Sequence, residues 1–467
     1  MTNQDELRKP LFRDTRHGYD RISPEDAAAM ESYCRDYMTF LNEAKTEREA
    51  VKWTIAKAEA AGYRAWEPGM TLSPGDKVYH NNRGKSIYFA HIGTRPLSEG
   101  AHIAAAHVDS PRLDLKPNPL YEEADMAYLK THYYGGIKKY QWTTIPLALH
   151  GVVVLKDGKK VDVCIGEDES DPVLYVTDLL IHLAADQMKK TLSEGVTAEQ
   201  LNLLIGSVPA EGEGSDRVKL AALQLLHAKY GITEADFQSA ELCAVPAGKA
   251  RFVGLDRSLI CGYGHDDRVC AYAAFAPLLT QETPEFTSVC LLADKEEIGS
   301  VGVSGMKSRC FETFMEDLAQ TQGASLRRCF EKSFCFSADV TNAFDPTFAE
   351  TCDRRNNAVV NGGIAVCKYT GSRGKSGASD ASAEAMGYVR RLLDGSGVLW
   401  QTATLGRVDQ GGGGTVAGFM ANRNIVTVDA GVPVLSMHAP LEVVSALDCY
   451  MTKKAMAVFY LSKESHE

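Results

Sequence analysis

The chain has 467 residues, with 50 Lys and Arg against 61 Asp and Glu, a formal net charge of −11 and a sequence pI of about 5.6. Hydrophobic residues make up 45% and charged residues 24%, which excludes wholesale disorder, collagen and extended coiled coil and leaves room for about two or three globular domains. The acidic balance offers no electrostatic footprint for nucleic acid or for an anionic membrane surface.

The opening segment, residues 1–20, is polar and lacks the apolar stretch of a signal peptide. No apolar run reaches the ~18–20 residues of a spanning helix. The 12 cysteines sit singly, none in a CxxC pair. They read as reduced, mostly buried thiols, and the expected compartment is the cytoplasm.

Ser23-Pro24-Glu25-Asp26 is a helix start, with a capping hydroxyl, a proline in the first turn and an acid at the third position. The helical pattern should break near 43–45 and resume through Trp53 to Gly62. Lys77–Asn81 and Ser86–Ile92 form two strands around the turn Asn82-Arg83-Gly84, and residues 101–109 are a buried strand with a polar end. From about 118 to 250 the texture changes. Short strands at 151–155 and 161–166 precede an expected helix at 174–190, a polar Gly-rich stretch at 209–216 and a helix at 216–229. This reads as an inserted module with its own core, lying away from the main site and carrying subunit contacts. Strand–helix alternation then returns: helix 268–281, strands 286–293 and 333–338, helix 379–394, strands 398–402, 424–428 and 432–437, and a last helix at 441–461. The alternation argues for an α/β sheet with helices on both faces. The glycine run 411–414 is too short for a linker and lies between structured segments.

Five segments bring metal-competent side chains to the end of an apolar strand or the start of a helix: AAAHVDSPR (104–112), GYGHDDRVCAYAAF (262–275), CLLADKEEIGSVG (290–302), FCFSADVTNA (334–343) and PVLSMHAPLE (433–442). In open α/β sheets such strand ends converge on one pocket. In a strand, His107 and Asp109 share a face, so Asp109 can orient the imidazole. Asp266-Asp267 opens a helix, where one carboxylate can bridge two cations. Glu296-Glu297 ends a strand, where neighbouring acids point in different directions, one toward metal and one toward water. Asp339 and His438 each end a strand. Each motif alone is also what a polar strand end, a helix cap or a charged turn looks like. Taken together, two histidines and several carboxylates form an oxygen and nitrogen donor set suited to paired Zn²⁺ or similar ions.

The order H-x-D, D-D, E-E, S-A-D, S-M-H resembles the dinuclear metallo-aminopeptidases. The blocks AAHVDSPRLDLKP, ADKEEIGSVG, SADVTNAFDP and VPVLSMHAPLE are similar to those of the M18 family, the aspartyl aminopeptidase and aminopeptidase I group, over nearly the whole chain. The resemblance implies an α/β fold with a mixed β-sheet between helices, of the dinuclear zinc exopeptidase type, and an inserted β-rich dimerisation domain. The catalytic domain would comprise 1–117 and 251–467, the insert 118–250. It implies two divalent ions per subunit, zinc first, with cobalt or manganese as alternatives. His107, Asp266, Glu297, Asp339 and His438 would be ligands, with Asp266 as the bridge. Glu296 would be the general base and Asp109 the acid that orients a ligand histidine. Lys368 and Lys375 are candidate cations for an acidic substrate side chain, and His182 resembles an insert histidine that reaches a neighbouring subunit's site. The implied partners are a peptide substrate and further copies of the chain, dimers assembling into a dodecamer, with neither nucleic acid nor membrane. The implied reaction is release of N-terminal residues from peptides. Its rivals are a related dinuclear carboxypeptidase or deacetylase, and a catalytically silent assembly protein on the same fold.

Overall fold

The computed structural model describes residue 8 and residues 11–466; the rest of the polar opening segment lies outside the described residues. A nine-stranded mixed sheet runs through the centre. Its middle strand, Ala101–His107, is buried at every position and pairs in parallel with Thr287–Ala293 on one side and Phe334–Ser337 on the other. Antiparallel strands such as Ser86–His91 and Ile364–Cys367 extend it outward. Alternate side chains of the middle strand enter different cores. Ala104 and Ala106 pack with the helices His265–Thr280 and Ala446–Leu461, whereas Ile103 and Ala105 pack with the helix Cys310–Thr321. A strand covered on both faces reads as a continuous apolar run, which is why AHIAAAH lacks polar alternation.

Seven further strands, all between Arg112 and Pro246, form a second sheet around a separate core. Ala240–Pro246 pairs with both Arg112–Glu123 and Pro146–Val154, so the pairings close into a ring. The boundary drawn at 117/118 falls inside the strand Arg112–Glu123. A third, five-stranded sheet contains Leu259–Gly262, Glu442–Ser445 and Pro433–Leu435.

The helices Pro24–Glu43 and Glu47–Ala60 start at Ser23 and Thr46, whose hydroxyls accept the third backbone amide. The break between them falls where the sequence puts it. Two expectations are overturned. Residues 174–190 are not a helix: a two-residue strand, Leu174–Tyr175, is followed by single turns at Ile181–Leu183 and Gln187–Lys189. Leu174 and Val176 reach the core of the second sheet, but Leu179, Leu180, Ile181, Leu183 and Met188 stay exposed, so burial of a helix face does not offset the cost of helix formation. The last helix begins at Ala446 rather than 441, because Glu442–Ser445 is spent as a strand against Leu259–Gly262. No helix among the described residues is long and apolar enough to cross a membrane.

Candidate metal centre

Three of the mutually parallel strands of the main sheet end on one edge, and several candidate residues follow from those ends. His107 closes its strand. After Thr287–Ala293, Lys295 takes a left-handed conformation (φ 65°) that turns the chain into the short turn Glu296–Ile298. Asp339 follows Phe334–Ser337. Asp266 lies at the start of the helix His265–Thr280, entered through Gly264. A Cβ on Gly264 would sit 1.5 Å from the Arg268 guanidinium, which donates to the carbonyls of Ala44, Tyr263 and Gly264 and clamps the turn. His438 lies in the turn between Pro433–Leu435 and Glu442–Ser445.

Two clusters result, His107–Asp266–Asp339 and Asp266–Glu297–His438, each with its donor atoms within 4.8 Å of one another. His107 Nε2 lies 3.2 Å from Asp266 Oδ1 and 3.7 Å from Asp339 Oδ1. His438 Nε2 lies 3.1 Å from the other oxygen, Asp266 Oδ2, and 3.3 Å from Glu297 Oε1. Asp267, the other acid of the pair, turns away, and its Oδ2 accepts the His107 amide at 3.3 Å.

Each imidazole is fixed from behind. His107 Nδ1 lies 3.0 Å from the Asp109 carbonyl and His438 Nδ1 lies 2.8 Å from the Gly136 carbonyl. A carbonyl only accepts, so the proton sits on Nδ1 and Nε2 is left as the donor toward a cation. Asp109 is fully buried. Its carboxylate accepts the amides of Glu296 and Glu297, both at 3.1 Å, and the Tyr134 hydroxyl at 2.8 Å.

This donor set fits divalent cations. Glu297 Oε1 is buried with no hydrogen-bond partner among the described residues. Burial holds Glu297 well above the usual carboxylate range, with Asp266 adding to the push, and burial likewise raises Asp339. Asp266 goes the other way: burial would raise it, but His107 and His438 together hold it below the usual range. Burial opposes a charge on His438, yet Asp266 and Glu297 push it up to about 10. Burial pushes Glu296 up to about 8, with Asp339, Asp109 and Asp266 adding to it against the pull of His107. The four carboxylates Asp266, Glu296, Glu297 and Asp339 carry four negative charges when ionised, which two divalent cations would balance and so restore to the charged form.

A cavity of about 830 Å³ opens over these side chains and over the Glu296 carboxylate. Its far wall is built by residues 369–375 and 404–415, including the glycine run. The two wall loops meet backbone to backbone: a Cβ on Gly412 would lie 2.0 Å from the Gly371 carbonyl. Lys375 lines the cavity and Lys368 does not. Both lysines pair with the exposed Asp380, at 2.8 and 2.5 Å. His182 is exposed in the turn Ile181–Leu183 and contributes nothing to the cavity within its own chain.

The expectation that the module at 118–250 lies away from this centre is overturned. Tyr134 and Gly136 belong to it, and a Cβ on Gly135 would stand 3.3 Å from Glu297 Oε2. Sequence reasoning also missed Glu442, whose carboxylate accepts the amides of Asp266 at 3.0 Å and His438 at 2.7 Å. One signal pointed to it: it is the sole acid in the apolar strand that follows His438.

Residues 40–460 match the family model described as Aminopeptidase I zinc metalloprotease (M18). The chain is 48% identical over 458 residues to the probable M18 family aminopeptidase 1 of Clostridium acetobutylicum, covering 96% of this chain and 98% of that one. A crystal structure of an M18 family aminopeptidase from Thermotoga maritima is similar at a TM-score of 0.92 and 40% identity, over 96% of this chain and 99% of that one. Aminopeptidase I from Clostridium acetobutylicum gives a TM-score of 0.91 at 45% identity, over 97% and 100%. The fold alone is shared with the S. cerevisiae mApe1 dodecamer, at a TM-score of 0.76 and 19% identity over 93% and 97%.

Proposed function

Because the chain belongs to the M18 family of zinc aminopeptidases, we propose that its centre holds two divalent ions, zinc by preference and cobalt or manganese as substitutes, and uses them to release N-terminal residues from peptides. The observation that carries this reading is Asp266, whose two oxygens face two different histidines at 3.2 and 3.1 Å. His107 and Asp339 would complete one site, Glu297 and His438 the other, with Asp266 shared. When bound, the ions supply Lewis acidity that polarises the scissile carbonyl and makes water acidic.

The chain's own residues do the rest. The Glu296 carboxylate makes no hydrogen bond or ion pair among the described residues and faces the cavity, so it is free to take the water's proton and return it to the leaving amine. Asp109 holds the amides of Glu296 and Glu297 and the His107 ring. The peptide's first residue enters the cavity. There an acidic side chain meets Lys375, already paired with Asp380, so acidic and neutral N-terminal residues are both substrates.

The catalytic domain comprises 1–117 and 251–467, and the module at 118–250 assembles dimers into a larger closed particle, in which His182 serves a neighbouring centre. The unpaired cysteines suit the cytoplasm.

Paired peptides with free and acetylated N-termini test the reaction. Cleavage of the free form alone is expected; cleavage of the acetylated form would favour a deacetylase or carboxypeptidase, and of neither a silent assembly protein. Glu296→Gln should keep both ions and lose roughly 10²–10⁴ in kcat, the usual worth of a general base. Glu297→Gln should lose metal and regain activity in excess zinc. The reverse pattern would exchange their roles.

A further inference from the structure

Glu442 is 1% exposed at the start of the strand Glu442–Ser445. Its carboxylate is committed to two backbone amides: Oε1 accepts His438 N–H at 2.7 Å and Oε2 accepts Asp266 N–H at 3.0 Å. Strand register explains the reach. Glu442 sits opposite Gly262, and the chain turns back through Gly264 to bring the Asp266 amide over the carboxylate. On the other side, His438 and Ser436 both hold the left-handed conformation, at φ 64° and 60°, which non-glycine residues keep only when their surroundings enforce it. The bond from His438 N–H to Glu442 restrains that turn directly, beside the Ala439 N–H donated to the Ser436 carbonyl at 3.0 Å.

We infer that Glu442 is a positioning residue: one buried carboxylate fixes the backbones of Asp266 and His438 relative to each other and thereby sets the affinity of the ion held between Asp266, Glu297 and His438. The inference rests on the two-ion reading above. His107 and Asp339 stand on strand ends of the main sheet and are reached by Glu442 only through Asp266. The other ion is therefore affected less.

Fold stability has its own control. Asp448 is fully buried and accepts two backbone amides in the same manner, from Asn361 at 2.8 Å and Gly363 at 2.6 Å, outside the cavity. The test is zinc release from the loaded full-length protein to a chromophoric chelator, with a thermal melt beside it. Glu442→Gln keeps the size of the side chain but sets an NH₂ against an N–H. It should weaken one ion by about 10–100-fold, the usual cost of removing a group that orients a ligand, and leave the other within a few-fold. Asp448→Asn should lower the melting temperature and leave both affinities unchanged. If Glu442→Gln fails to fold, Glu442→Asp keeps the charge, reaches one amide only, and should weaken the same ion. Parent affinities at both ions in a Glu442 variant would overturn the inference, and so would equal losses in the Glu442 and Asp448 variants. A parent that releases a single zinc, or a Glu297→Gln variant with unchanged release, would instead remove the two-ion reading and this inference with it.

Discussion

Asp109 shows how much of this centre depends on residues that touch no substrate. Two backbone amides, a tyrosine hydroxyl and the edge of His107 converge on one buried carboxylate. Its charge is matched to those donors: burial alone would raise it, but His107 and the Tyr134 hydroxyl hold it below the usual range. Asp109→Asn exchanges an acceptor for a donor facing donors. Metal affinity should fall by about 10–100-fold, with the Glu296–Ile298 turn released; unchanged zinc release would show that the turn holds itself. Tyr134→Phe removes only the hydroxyl and should cost about 1.5–3 kcal/mol in denaturant unfolding, the worth of a hydrogen bond to a charged group. At this scale the sequence was legible where a side chain meets the cavity directly. His107, Asp266, Glu296, Glu297, Asp339 and His438 all line it. Tyr134, Gly136 and Glu442 were not legible, because a hydroxyl, a carbonyl and a carboxylate acting through backbone groups leave no characteristic spacing.

At the scale of elements, apolar runs read well and unpartnered ones did not. The strands at 101–107, 287–293 and 334–337 are apolar because both faces are covered, and their positions follow from composition alone. The segment around LLIHLAADQM has the apolar content of a helix face, yet most of its large apolar side chains are left exposed. Leu180 is 54% exposed, Ile181 and Leu183 68% each, and Met188 71%. Such an exposed strip marks a surface that another molecule covers, consistent with the proposed assembly. Exchanging Ile181 and Leu183 together for Asp should therefore reduce particle size in light scattering, while the melting temperature of the subunit changes little. An unchanged particle size would remove this strip from the assembly contacts. The same module reaches the metal centre through Tyr134–Gly136, so excising it should cost metal affinity as well as assembly.

The helix Glu47–Ala60 is joined to the second sheet by a buried charged junction. His150, on the strand Pro146–Val154, donates to Glu49 at 2.8 Å and to Glu167 at 2.9 Å. Lys45, at the head of the helix Glu47–Ala60, meets the same Glu167 at 2.6 Å and the carbonyls of Pro246 and Gly248 at 2.8 Å each. The helix Glu47–Ala60 and the Lys45 before it thus grip the second-sheet module through two cations and two carboxylates, all largely buried, where losing one partner strands the others. Burial opposes the charge on His150, but Glu167 and Glu49 raise it from 6.5 to about 9. A group raised on folding contributes its stability fully below its unfolded value and loses it as pH climbs through the folded one. The contribution is therefore complete below about pH 6.5 and gone above about pH 9, and that rise corresponds to on the order of 3 kcal/mol. His150→Gln should be less stable than the parent by up to that amount near neutral pH, and the gap should close as pH passes 9. Denaturant unfolding of both proteins from pH 6 to 10 measures that gap. A gap that stays constant across the range would mean that His150 acts at this junction by shape and neutral hydrogen bonding rather than by charge.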